Sequence, residues 1–351
     1  MTTLVFYQTI LNWYHHFGRK TLPWQIKKNP YKTWISEIML QQTQVKTVIP
    51  YYCKFIKRFP NIDTLSDSPL DSILNLWSGL GYYTRARNIY KTAKILKQKF
   101  NGIFPNSYAE IIKLPGIGKS TAGAILSFGF NLYSCILDGN IKRVLIRYYS
   151  ININNKYIEK LLWKTIESIT PIYHTNKFNQ ALIDIGALIC LKSNPKCNIC
   201  PLKSTCKSYL NNKLFQINCK KNKKHIIPKT KYWFLILQYK NYIFLEKRQN
   251  LGIWKKLFCF PQFIRQNDIL SWIQKNNTKI KKINILNEFK HKLSHLTLYI
   301  NPIWIIINKI SIFSNNNKTI WYNLNNPQCI GLPTPVTKII TKIKKFNTHH
   351  E

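Results

Sequence analysis

Apolar residues return every three or four positions through most of residues 1–210, the spacing that lays one face of a helix on a core. The pattern predicts helices over Leu4–Phe17, Trp34–Phe59, Leu70–Trp77, Arg85–Phe100, Thr121–Phe130, Ile141–Tyr149, Ile158–Ile169 and Phe178–Cys190. Asn29-Pro30 and Asp67-Ser68-Pro69 read as helix starts, and Asn101-Gly102 as a stop. No internal repeat of fixed period is visible. From Tyr209 to Thr230 the composition turns polar and basic, with Lys220-Lys221-Asn222-Lys223-Lys224 closing towards Pro228, which predicts a linker over 211–229. Beyond it the period becomes that of strands. Tyr232–Tyr239 and Tyr242–Lys247 around Asn241 predict a hairpin, Ile300–Ile307 a further strand, and Asp268–Gln274 and Thr337–Phe346 short helices. The expectation is a multidomain chain, with an all-α domain over 1–210 and an α+β domain over 230–351.

Composition adds a partner class. The 351 residues are 45% hydrophobic, enough for two cores, and 53 Lys and Arg stand against 13 Asp and Glu, a formal charge of +40. Such a field attracts polyanions, although Ile, Asn and Lys are abundant everywhere, so the sign of the charge says more than its size. No run is long enough to span a membrane, and the N-terminus lacks the layout of an export signal. The expected compartment is a bacterial-type cytoplasm, at the nucleoid. Nine cysteines there suggest thiols or a metal site, with no disulfide framework.

Four stretches carry candidate chemistry. In Leu114-Pro115-Gly116-Ile117-Gly118-Lys119-Ser120-Thr121-Ala122, Gly116 and Gly118 permit positive φ and bare the backbone N–H groups ahead of a helix start. A phosphate clamp and a plain αα corner both fit that turn. Asp138 follows twenty residues after Gly118 in Leu137-Asp138-Gly139-Asn140. Upstream, Glu37 sits among Trp34, Ile35, Ile38 and Leu40, where a carboxyl would keep its proton and could donate it; the polar edge of an amphipathic helix is the alternative. Gln41, Gln42 and Thr43 follow with amide and hydroxyl groups. In Trp77-Ser78-Gly79-Leu80-Gly81-Tyr82-Tyr83-Thr84-Arg85-Ala86-Arg87, Leu80 or Tyr82 beside two arginines suits a wedge for base extrusion, and a buried Tyr pair is the other reading. Last, Cys190, Cys197, Cys200 and Cys206 (C-x6-C-x2-C-x5-C) make a four-thiolate site over 190–206, which ligand type alone leaves open between zinc and iron–sulfur.

In order and spacing these stretches resemble the helix-hairpin-helix DNA glycosylases related to endonuclease III, and more narrowly the MutY adenine DNA glycosylases with their MutT-like (Nudix) C-terminal domain. That resemblance implies removal of adenine from A:8-oxoguanine or A:G mismatches in double-stranded DNA during base excision repair. It implies Glu37 as the acid that protonates the adenine ring, Asp138 as the anion beside the sugar cation and Asn140 as its assistant. Gln180 and Asp184 would lie at the adenine pocket, Trp24 and Gln41 would contact the substrate DNA, Gln42 and Tyr82 would enter the duplex, and Thr43 and Leu80 would flank the oxidised guanine. The four cysteines would hold one [4Fe–4S] cluster, Gly116 and Gly118 would meet phosphate, and Leu293, Ser294 and His295 would read 8-oxoguanine. A monomer is expected.

Endonuclease III-like relatives carry lysine at the second residue after the hairpin glycine. Here that residue is Ser120, and Lys119 is turned about 100° away on a helix. A hydroxyl forms no Schiff base, so strand cleavage is not expected; Lys142 is a further amine close to Asp138. Gln25, where the family often has Arg, and Leu293, where it usually has Phe, are departures that weaken discrimination. The second domain lacks the glutamates of a Nudix box. The competing readings are a thymine-mismatch glycosylase or an endonuclease III-like glycosylase and lyase, and a non-catalytic iron–sulfur DNA-binding protein.

Overall fold

The computed structural model describes residues 3–214, 227–249, 252–276, 279–310 and 318–348. The chain forms two compact units: Met1–Asp67 with Asn88–Lys224, and Ser68–Arg87 with His225–Glu351. Ser68–Arg87 thus groups with residues far along the chain, which the linear run of helical patterns does not reveal.

The first unit is helical. Thr3–Phe17, Gly139–Tyr149, Ile158–Ile169 and Thr175–Asp184 bury Phe6, Ile10, Leu145, Ile166, Phe178 and Leu182 in a common core. Each such side chain contributes about 1.5–3 kcal/mol when fully buried. The single helix expected over Trp34–Phe59 is two, Pro30–Leu40 and Val45–Arg58. Gln41–Gln44 offers no apolar side chain to hold a helix on the core, and Gln42 turns to φ 56° between them. The expected helices Thr121–Phe130 and Phe178–Cys190 also change pitch. Lys119–Ala124 ends in a π-helical turn, Ile125–Gly129, and Thr175–Asp184 in another, Ile185–Ile189. Such turns cluster at functional sites, and both of these lie against the cavity described below.

The second unit holds a mixed sheet. Among the described residues its strands are β1 (Lys229–Tyr239), β2 (Tyr242–Lys247), β3 (Phe258–Cys259), β4 (Gln262–Phe263), β5 (Ile280–Ile285), β6 (Phe289–Lys292), β7 (Thr297–Ile307) and β8 (Thr319–Asn323). The main order is β3-β2-β1-β7-β5, with β4 on β1, β6 on β7 and β8 on β2. The expected hairpin is β1–β2; β1 then runs parallel to β7 from Lys229↔Thr297 to Gln238↔Ile306. Phe234 and Ile236 point to a core covered by helix Thr334–Thr348, and Leu235 and Leu237 to one covered by Asn267–Lys275. Burial on both faces is why β1 reads as a continuous apolar run.

Candidate active site

A cavity of about 450 Å³ opens in the first unit. Helix Pro30–Leu40 lines it with Thr33, Ser36, Glu37 and Leu40, which share one face at helical spacing. That helix begins where it does because the Asn29 side chain accepts from the Lys32 N–H at 2.7 Å and Pro30 has no N–H to strand. Apolar Leu22, Val45, Phe128 and Ile136 share the cavity with the carboxyl of Glu37. Burial, and after it the charge of Asp138, push this carboxyl up to about 8. At pH 7 it therefore holds its proton.

Asp138 lines the same cavity and caps helix Gly139–Tyr149. Its carboxylate accepts from the backbone N–H groups of Asn140 (3.0 Å) and Ile141 (2.8 Å) and from the Asn140 side-chain amide (2.9 Å). Burial raises its pKa, while these donors and the Arg143 charge oppose the rise. Charge on this oxygen pair is thus held at a helix N-terminus, where the dipole favours it.

Trp24, Thr43 and Gln180 also line the cavity, and Trp24 is fixed edge-on against Tyr52 at 5.5 Å. Asp184, expected at the adenine pocket, Gln41, expected at the DNA, and Ser120, expected in the chemistry, do not line this cavity. Asp184 is fully buried behind the lining, gripping the Arg19 side chain at 2.6 and 2.8 Å and its N–H at 2.7 Å, and accepting from Gln180 at 3.0 Å. It holds two lining residues in place and is not itself a wall. The Gln41 amide reaches Thr121 at 3.5 Å, and Ser120 is half-buried in the first turn of its helix; neither is among the lining residues.

The hairpin turn is present with one correction. Gly116 sits at φ 79°, and a Cβ there would fall 2.7 Å from the Asn88 amide. Gly118, expected to share that freedom, is extended at φ −94° as the cap of Lys119–Ala124, with open space where a Cβ would be. Its absent side chain leaves the turn accessible. Lys119 lies over the Trp163 ring at 5.9 Å, away from the cavity lining as the helical rotation implies. Lys142, the other nearby amine, is paired with Glu159 at 2.7 Å.

In the second unit, Tyr82 is 46% exposed at φ 48°, a strained conformation for a bulky residue. Gln42 in the first unit shares this left-handed backbone. Leu80, expected to be displayed with Tyr82, is 6% exposed and packed inward. The flanking arginines are also committed. Arg85 stacks on Trp77 and Tyr82 at 5.4 and 5.5 Å, with burial pushing its pKa down to about 10, and Arg87 donates to the Lys255 carbonyl at 3.1 Å. Leu293, Ser294 and His295 form the loop joining β6 to β7, closed by the Leu293 N–H on the Leu296 carbonyl at 2.8 Å. Leu293 packs on the core beneath, whereas Ser294 and His295 are exposed. This loop, Tyr82, Tyr83 and Trp254 line a cleft of about 520 Å³.

The four cysteines lie at the end of the π-helical turn and in the loop after it. Among the described residues, no three His, Cys, Asp or Glu side chains converge tightly enough to hold a metal ion. The expected set is thus neighbouring without being gathered on one point. Burial pushes the Cys197, Cys200 and Cys206 thiols up, Cys200 to about 11, and donors oppose this rise: Arg147, 4% exposed, donates to Cys190 Sγ at 3.3 Å, and backbone N–H groups of Leu202, Ser208 and Tyr209 point at Cys200 and Cys206. Buried N–H donors and a guanidinium are what a cluster held by thiolates needs. Two residues that brace the site have no counterpart among the sequence expectations. Arg143 and Arg147 project from one face of helix Gly139–Tyr149, Arg143 bonding Asn140 Oδ1 at 2.9 Å and the Cys190 carbonyl at 2.6 Å. Their i, i+4 spacing just after Asp138 was the available signal.

Comparison with known proteins agrees with this layout. Residues 35–168 match the HhH-GPD superfamily of base excision DNA repair proteins, and residues 232–342 match the NUDIX domain. A thermostable thymine-DNA glycosylase superposes with a TM-score of 0.56 at 29% identity, covering 60% of this chain and 97% of its own. Endonuclease III in a DNA complex shares the fold, with a TM-score of 0.52 at 23% identity over 60% of this chain and 98% of its own. The adenine DNA glycosylase of Buchnera aphidicola subsp. Acyrthosiphon pisum is 54% identical over 348 residues, 98% of this chain and 99% of that protein. With a glycosylase domain, a Nudix-like domain and that identity from end to end, the chain belongs to the adenine DNA glycosylases.

Proposed function

We propose that the enzyme releases adenine opposite 8-oxoguanine or guanine without cutting the strand. The observation that carries this reading is the pair of unlike carboxyls on one cavity: Glu37 kept neutral, and Asp138 held by three N–H donors. Adenine is a poor leaving group until a ring nitrogen is protonated, and the sugar left behind is cationic. Glu37 donates the proton, and Asp138, braced by Asn140, stabilises the cation through space. Lys28 is the lysine among the cavity's lining residues, whereas the sequence position of the lyase amine is Ser120, and Lys119 and Lys142 are engaged elsewhere. A hydrolytic glycosylase follows.

Gln42 and Tyr82, both held at positive φ, enter the duplex, and the Leu293–His295 loop reads the base opposite. Cys190, Cys197, Cys200 and Cys206 hold a [4Fe–4S] cluster that fixes the loop structurally; anaerobically purified protein then carries about four iron and four sulfide. The protein acts as a monomer in the bacterial cytoplasm; no described helix is long and apolar enough to cross a membrane. The test is single-turnover adenine release from A:8-oxoguanine and A:G duplexes by wild type, Glu37→Gln and Asp138→Asn. Duplex binding by wild type without adenine release, or strand cleavage as fast as base release, refutes the proposal.

A further inference from the structure

The segment that displays Tyr82 is fastened to the domain that carries the 293–295 loop. The Tyr83 hydroxyl donates to the Leu332 carbonyl at 3.0 Å and accepts from the Gly79 N–H at 3.2 Å. The Ser78 hydroxyl accepts from the Leu332 N–H at 3.2 Å and donates to the Leu74 carbonyl at 3.1 Å. Asp71 pairs with Lys247 at 2.8 Å, both largely shielded from water. Arg87 caps the Lys255 carbonyl between Trp254 and Lys256, two non-glycine residues at φ 58° and 62°. Gly331 approaches so closely that a Cβ would fall 2.5 Å from the Leu74 Cβ. Both the Tyr82 loop and the 293–295 loop then line one cleft of about 520 Å³.

We infer that Tyr83 is a positioning residue, whose hydroxyl ties the Tyr82 wedge to the reading domain and so makes the choice of the base opposite adenine depend on that tie. This rests on the proposed reading of 8-oxoguanine by the 293–295 loop. Trp77 Nε1 and the Arg85 guanidinium hold the turn Gly79–Tyr82 locally through the Gly81 carbonyl at 3.0 and 3.1 Å, and the Tyr83 hydroxyl bridges the Gly79 N–H to the Leu332 carbonyl. A base seated in the cleft pulls on the loop at one wall; the tie makes the wedge follow. Adenine chemistry itself takes place in the first unit's cavity and does not involve the Tyr83 hydroxyl.

The experiment uses the full chain with Tyr83→Phe and, separately, Ser78→Ala. Binding is measured to duplexes carrying a non-hydrolysable adenine nucleoside opposite 8-oxoguanine or guanine, alongside single-turnover release from the natural pairs. In Tyr83→Phe the preference for 8-oxoguanine over guanine drops about five- to tenfold, the scale of one hydrogen bond. Release from A:G stays within about twofold of wild type, and Ser78→Ala moves the preference in the same direction. A preference that survives both substitutions overturns the tie, as does an equal loss on both duplexes. A wild type with no preference overturns the reading of 8-oxoguanine, and the tie with it, before any variant is made.

Discussion

Replacing Glu37 by Gln removes the proposed proton donor and, by the same physics, should strengthen the fold. The wild-type carboxyl moves from an ordinary 4.5 to about 8 on folding, burial being the larger cause. The folded state therefore holds the proton more tightly than the unfolded chain. Unfolding releases it anywhere between those two values, so the contribution of Glu37 to stability is greatest below pH 4.5, declines as pH rises towards 8 and is level above. Each tenfold step is about 1.36 kcal/mol, so the full development is about 5 kcal/mol and pH 7 expresses about 3 kcal/mol of it. Water in the cavity screens part of this, leaving about 2–3 kcal/mol. Glutamine is neutral, nearly isosteric and carries no such term. Urea unfolding at pH 4.5, 7 and 9 should show the variant gaining on wild type by that amount at pH 7 and by little at pH 4.5. In parallel, wild-type adenine release should fall about tenfold per pH unit above pH 8, as the acid loses its proton. A stability gap that does not change with pH refutes the protonated, buried acid, whatever happens to activity.

Asp138→Asn should keep duplex binding and lower single-turnover release by about a hundredfold or more, the scale of one lost electrostatic contact to a developing charge; unchanged release removes Asp138 from the chemistry. Asp184→Asn leaves the Arg19 guanidinium without its buried charge partner and should destabilise the protein by about 3–5 kcal/mol, read by denaturant unfolding. Gly116→Ala forces a side chain into a left-handed turn against Asn88; we expect about 1–3 kcal/mol lost and weaker duplex binding in a salt titration. Cys200→Ser should yield colourless protein with iron well below wild type by elemental analysis, and retention of full iron contradicts the ligand assignment.

Chemistry was more legible in the sequence than geometry. Glu37 could be singled out because its helical neighbours are apolar, and Asp138 because a turn and an apolar run precede it. Spacing could not show that the two share a cavity, since that depends on how helices Pro30–Leu40 and Gly139–Tyr149 pack. Asp184 looked like a wall because its position on the helix is right; only the bidentate grip on Arg19 shows that it stands behind one. Arg85 and Arg87 could be placed beside the wedge from sequence, but that ring stacking and a carbonyl bond occupy them could not be read from it. The break at Gln42 and the short strands β3 to β6 escaped periodicity for the same reason. Each is set by a positive φ or by a pairing strand distant in sequence, and neither leaves a local pattern.

Helix Gly139–Tyr149 begins at Asp138 and carries Arg143 and Arg147, which hold Asn140 and the start of the cysteine loop together. Whatever loosens that loop, such as oxidation of its thiols or loss of the proposed cluster, removes the Cys190 and Leu191 carbonyls from the two arginines and leaves Arg143 held by Gly139, Asn140 and Gly186, a weaker brace for Asn140 beside Asp138. The injured enzyme would still hold Glu37, Gln42 and Tyr82 on their own elements. Damage there should read as a slower turnover on DNA that is still bound, so that a cell under oxidative stress would accumulate occupied lesions before it lost the ability to find them.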